Sequence, residues 1–198
     1  KDCKFRFVKD EGFLRMRNAP EKITQSLHLY FSGTSLRKSQ EHLGVFYNHN
    51  ASHMTILRWI RRYSKLVSNF TDRLQLKVGN ELMSDEMEFS TKGRQSWFVD
   101  TMDTKTRYMV SSDFMWSRTI PRLQDVLRLA KKKTDNQIQI VTTDGLQGYP
   151  RVLKKTFGLK KKGSKIIHNV VIASERGFNH KIERLHNTIR DRTKIMRG

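Results

Sequence analysis

The sequence predicts a mixed α/β domain with an α+β-like sheet, preceded by a small all-α helix-turn-helix module. Two changes of pattern predict it. Up to about residue 66, apolar residues recur at helical spacing. From Glu81 the chain reads as three consecutive strands, then helix, strand, helix, strand, helix. Three strands in a row favour an antiparallel meander, and the later alternation favours parallel pairing.

The first helix is predicted to start at Pro20, with Ile23, Leu27, Tyr30 and Phe31 on one face, and to end at Gly33. Thr34 or Ser35 caps a second, carrying Leu36 and Leu43, with Gly44 as its stop. Residues 45–51 read as a turn. Ser52 caps a third helix, whose apolar face holds Ile56, Trp59, Ile60 and Tyr63 and whose other face holds Arg58, Arg61, Arg62 and Lys65. Three short helices with a basic last one suggest a helix-turn-helix over residues 20–66, with 67–80 as linker. The plainer reading is a solvated basic bundle.

Residues 81–198 form the second predicted domain. Glu81–Phe89, Gln95–Met102 and Thr106–Phe114 read as strands, the last two joined by Asp103-Thr104-Lys105. Ser117 caps a helix with Leu123, Val126, Leu127 and Ala130 at helical spacing. Gln137–Thr142 and Lys165–Ala173 read as strands, with a helix after Gly145 between them. Phe178–Thr193 closes the order as a helix with Ile182, Leu185 and Ile189. Trp59, Trp97 and Trp116 read as core residues, and most histidines as surface or DNA-facing.

Charge narrows the function. The 198 residues carry 39 Lys and Arg against 19 Asp and Glu, a formal net charge of +20. Such a field attracts polyanions. No apolar run is long enough for a membrane span, so nucleic acid is the expected partner. With Cys3 the single cysteine, no disulfide forms within the chain. The start at Lys1 and the stop at Gly198 within a basic helical pattern read as cut ends.

Three acids stand out by position. Asp85 is mid-strand on the face of Met83, Met87 and Phe89, where an unpaired charge is costly. Asp144 ends the apolar strand before Gly145, and strand carboxyl ends are where ligands bind in α/β sheets. Glu183 lies on the last helix among Lys181, Arg184, Arg190 and Arg192. Singly, each has a plainer role: a satisfied core acid, a turn and helix start, an ion pair with Arg184 or Arg190. Together they suit magnesium, which prefers carboxylate oxygens and in pairs supports phosphodiester chemistry. Residues 145–174 contain no acid but seven cations, including Lys160, Lys161 and Lys162. That suits a phosphate backbone crossing the site, or simply a solvated basic loop.

The segments Met83–Phe89, Trp97–Val110, Ile140–Lys155 and Asn179–Gly198 resemble the DDE-type transposases of bacterial and archaeal insertion sequences, relatives of retroviral integrases. The last segment is the most specific: an Asn, then Ile-Glu-Arg, then a basic helix ending in Met-Arg-Gly. The resemblance covers roughly residues 20–198. It implies a ribonuclease-H-like catalytic domain over 81–198 with Asp85, Asp144 and Glu183 as metal ligands and catalytic triad. It implies two Mg2+ (or Mn2+) ions and a DNA contact from Arg190. Asn179, His186 and Asn187 match polar positions of the same helix.

The implied activity is cleavage and strand transfer of an insertion sequence, with the terminal repeats and target DNA as partners. A homodimer or larger synaptic complex, no membrane, no small-molecule cofactor and a prokaryotic cytoplasmic or nucleoid location go with it. Glu183 lies 39 positions after Asp144, a longer gap than such families usually show. Residues 1–19 resemble the tail of a zinc ribbon, but a lone Cys3 cannot make a four-ligand site, so no zinc is expected. Two alternatives stay open: an inactive or domesticated DNA-binding protein, and a ribonuclease-H-like nuclease that cuts without joining.

Overall fold

The computed structural model describes residues 13, 16–91, 93–158, 166–171 and 180–194. Cys3, Lys160, Lys161, Lys162 and Asn179 lie outside them. The chain divides into two compact units, one comprising the chain to Arg73 together with Arg190 onward, the other Leu74–Ile189.

The first unit contains α1 (Pro20–Phe31), α2 (Leu36–Tyr47) and α3 (His53–Thr71). Its core is Ile23, Leu43, Ile56, Trp59, Ile60 and Tyr63, with Leu27, Tyr30 and Leu36 packed against them. The apolar spacing read from the sequence therefore marks the buried faces, except that Phe31 is exposed. Ser35 and Ser52 accept from the backbone N–H of Lys38 and Thr55, as N-caps do.

Two boundaries differ from expectation. Gly44 does not stop α2, because a single exposed helical glycine costs only about 1 kcal/mol. The stop is Asn48, which takes the left-handed conformation (φ 46°, ψ 48°), and the next N–H, of His49, closes on the Leu43 carbonyl at 3.1 Å. α3 also runs on to Thr71, so the start of the expected linker is helical.

The second unit is a five-stranded mixed sheet in the order β3-β2-β1-β4-β5. β1 (Glu81–Thr91), β2 (Arg94–Asp103) and β3 (Met109–Met115) form the antiparallel meander. β4 (Ile140–Thr143) and β5 (Ile167–Val170) add in parallel beside β1. The β1–β2 turn needs Gly93, whose φ is +73°. This meander with two parallel strands, interleaved with helices, is the ribonuclease-H-like arrangement.

Alternation along the strands gives the sheet two faces. One buries Leu82, Val99, Val110 and Val141 under α4 (Ile120–Lys133) and α5 (Gly148–Phe157), through Leu123, Leu127, Val152 and Phe157. The other meets α6 (His180–Lys194), where Ile182 packs on Met83 and Met102. Thr119, not Ser117, is the N-cap of α4, with Pro121 in the first turn. Trp116 is not core: it is 56% exposed. No helix among the described residues is long and apolar enough to cross a membrane.

Candidate functional site

The sheet register builds the site. The last pairs of the parallel β1–β4 ladder are Met83 with Thr142 and Ser84 with Thr143. The next residue in each segment is an aspartate: Asp85, still within β1, and Asp144, the first residue past the end of β4. Neighbouring strands lie about 4.8 Å apart, so the two carboxylates start from adjacent backbones. β4 ends here while β1 continues to Thr91, which opens a notch in the sheet at the strand end. Asp144 turns the chain towards α5, its Oδ1 accepting the Leu146 N–H at 3.1 Å.

Electrostatics mark Asp85 as costly to ionise. Burial pushes its carboxyl up to about 6. The Glu86 N–H, donated to Oδ1 at 2.8 Å, and the His186 ring pull the other way, while the charges of Asp144 and Asp100 push it further up. On the opposite strand face, burial also raises Glu86, against the pull of Arg118, which donates to it at 2.8 Å. Tyr149 lies buried beside Ser84. Burial, then the Glu86 charge, holds its hydroxyl well above the usual tyrosine value, so it stays a neutral neighbour of these acids.

A second buried acid faces Asp85. Asp100 is its partner across the β1–β2 ladder and is 0% exposed. Its Oδ1 accepts from His186 Nε2 at 2.7 Å. The other ring nitrogen, Nδ1, stands 3.7 Å from Asp85 Oδ2, an electrostatic contact and too long for a hydrogen bond. Asp100 Oδ2 has no hydrogen-bond partner among the described residues. Burial raises the Asp100 carboxyl, and the His186 hydrogen bond opposes it.

Of the three expected acids, Asp85 and Asp144 come together. Glu183 stands exposed in the first turn of α6. It lines a groove of about 710 Å³ with Met102, Arg107, Lys181 and Arg184. Among the described residues, no three His, Cys, Asp or Glu side chains form a ready metal set. Arg58, Arg61, Arg62 and Lys65 are exposed on α3, and Arg190 is exposed on α6, two turns after Glu183.

Asp85 and Asp144 fit a hard divalent cation. Both are oxygen donors, one within β1 and one just past the end of the adjacent β4, and burial leaves Asp85 with a charge that a cation would compensate. Asp100, Tyr149 and His168, whose Nε2 lies 2.9 Å from Thr143 Oγ1, were not anticipated in these positions. Asp100 was within reach of the sequence: counting along both arms from a Thr91–Arg94 pair sets it opposite Asp85. Tyr149 and His168 carry no such local signal.

No protein-family model and no curated protein matches the chain. Solved structures do. The chain is similar to retroviral integrase catalytic cores. The HTLV-2 integrase catalytic core domain in complex with magnesium aligns in its trimeric form at 13% identity and a TM-score of 0.42, over 58% of this chain and 70% of that one. Its dimeric form aligns at 11% identity and a TM-score of 0.42, over 60% and 72%. A simian T-cell lymphotropic virus intasome chain aligns at 16% identity and a TM-score of 0.44, over 87% of this chain, which spans 58% of that one.

Proposed function

We propose that the chain is a DDE-type transposase that cleaves an insertion sequence at its ends and transfers the freed strand to target DNA. The observation that carries this reading is that Asp85 in β1 and Asp144 just past the end of the adjacent parallel β4 each follow the last pair of that ladder. Glu183, on the helix packed over the same sheet face as Asp85, is the third ligand in this reading and has to approach the pair when metal and DNA bind. Two Mg2+ (or Mn2+) ions, when bound, supply activation of the attacking oxygen and neutralisation of the leaving one.

The chain's own residues do the rest. Asp85 presents its carboxylate from within β1 and Asp144 from just past β4, with one oxygen of each held by a backbone N–H. Arg58, Arg61, Arg62 and Lys65 of α3 bind the terminal repeats as the last helix of a helix-turn-helix. Arg190, with Lys160, Lys161 and Lys162, contacts phosphates near the cut. A homodimer or larger complex pairs two ends, in a prokaryotic cytoplasm or nucleoid.

The test uses Mg2+ and duplex fragments carrying the DNA that flanks the gene, with supercoiled plasmid as target. Wild type should give both cut and joined products, and Asp144→Ala should give neither. Equal activity in the two proteins removes the catalytic reading. Cut products that are never joined reduce it to a nuclease.

A further inference from the structure

His186 sits on a helix that is otherwise strongly polar, yet it is 4% exposed. A buried imidazole is expensive unless both nitrogens are met by suitable groups. Here Nε2 meets Asp100 Oδ1 at 2.7 Å and Nδ1 faces Asp85 Oδ2 at 3.7 Å. The ring thus stands between two acids on neighbouring strands. One of them is fully buried and keeps an unsatisfied Oδ2 among the described residues. Burying such a pair has no packing advantage over an apolar pair, which needs no partners.

Geometry supplies a reason. Glu183 precedes His186 by three positions, and residues three apart on a helix are neighbours. Ile182, one residue before Glu183, anchors the same turn on Met83 and Met102. Whatever fixes His186 against the sheet therefore fixes the rotation and height of the turn that bears Glu183.

Resting on the metal-dependent reading above, we propose that Asp100 and His186 form a strut that positions two of the three carboxylates. Asp100 holds the His186 ring by Nε2. The ring's Nδ1 edge limits where Asp85 Oδ2 can turn, while the Glu86 N–H holds Oδ1. Through the helix, the same contact sets where Glu183 starts its approach. His186 and Asp100 are positioning residues: each acts through an acid and neither touches the reacting DNA. The role is that of groups outside a coordination sphere that hold the ligating side chains in place.

The test measures metal binding by the full chain, without DNA and without turnover. Mn2+ titrated by calorimetry is the probe for wild type, Asp85→Asn, Asp144→Asn, His186→Leu and Asp100→Asn, each checked for a single thermal unfolding transition. The strut predicts that folded His186→Leu and Asp100→Asn bind Mn2+ roughly 10–100-fold more weakly. Their double variant should be little worse than His186→Leu alone, because both lie on one path. Folded variants with wild-type Mn2+ affinity overturn the strut.

Should neither variant fold, wild type decides. Mg2+ added to chain labelled with 15N-histidine should shift the His186 Nδ1 resonance, and an unmoved resonance at saturating Mg2+ overturns the strut. The two ideas fail separately. Loss of Mn2+ binding in Asp85→Asn and Asp144→Asn but not in the strut variants leaves the metal site standing and removes the strut. Unchanged binding in the two aspartate variants removes both.

Discussion

At the scale of single residues, Asp85 couples stability to metal in opposite directions. Its folded carboxyl is raised from 3.8 to about 6. The stability that neutral Asp85 contributes is fully present below its unfolded value and is lost as pH rises through about 6. Metal binding needs the ionised form, so it strengthens over the same window. Thermal unfolding of wild type, with and without Mg2+, should show the two midpoints drawing apart as pH rises from about 4 to about 7. A separation that does not change with pH would show that Asp85 is not a ligand.

Single residues also show why His186 escaped a reading by residue type. Histidine is commonly a surface residue, and its spacing from His180 offers no metal pattern. Only the meeting of α6 with Asp100 and Asp85 gives the ring a hydrogen bond on one side and a facing carboxylate on the other in the interior. Asp100 was obscured for a related reason. Its value comes from being opposite Asp85, and opposition depends on the register of a hairpin.

At the scale of elements, the apolar faces were legible because helix and strand periods differ. Ile56, Trp59, Ile60 and Tyr63 are buried as their spacing requires. The ends were less legible: α2 passes through Gly44 because propensity is weak against the packing of Leu43. α6 depends most on one residue. Ile182 is 0% exposed, and Ile182→Ala should cost about 2–5 kcal/mol. That loss would appear as a lower unfolding midpoint. Since Ile182 adjoins Glu183, Mg2+-dependent DNA cleavage should fall further than the loss of folded protein explains. Activity that simply follows the folded fraction would separate α6 docking from the site.

At the scale of the whole molecule, charge and topology do different work. An excess of cations favours a polyanionic partner wherever the individual side chains stand. Exposed Arg58, Arg61 and Arg62 give that field a testable address on α3. If each meets a phosphate, each Arg→Ala change should lower the slope of log affinity against log salt by about one unit. Duplex binding measured across a salt series reads this directly, and an unaltered slope moves the DNA surface off α3.

By itself, the sequence determined that this chain carries two kinds of element pattern, a strongly basic surface and acids at the ends and middles of apolar segments. Those properties are local, set by residue type and period. Tertiary structure alone decided that Asp144 stands beside Asp85 and that His186 fills the space between Asp85 and Asp100. Such neighbours come from strand register and helix docking, which join residues far apart in the chain and leave no mark on the pattern around any one of them.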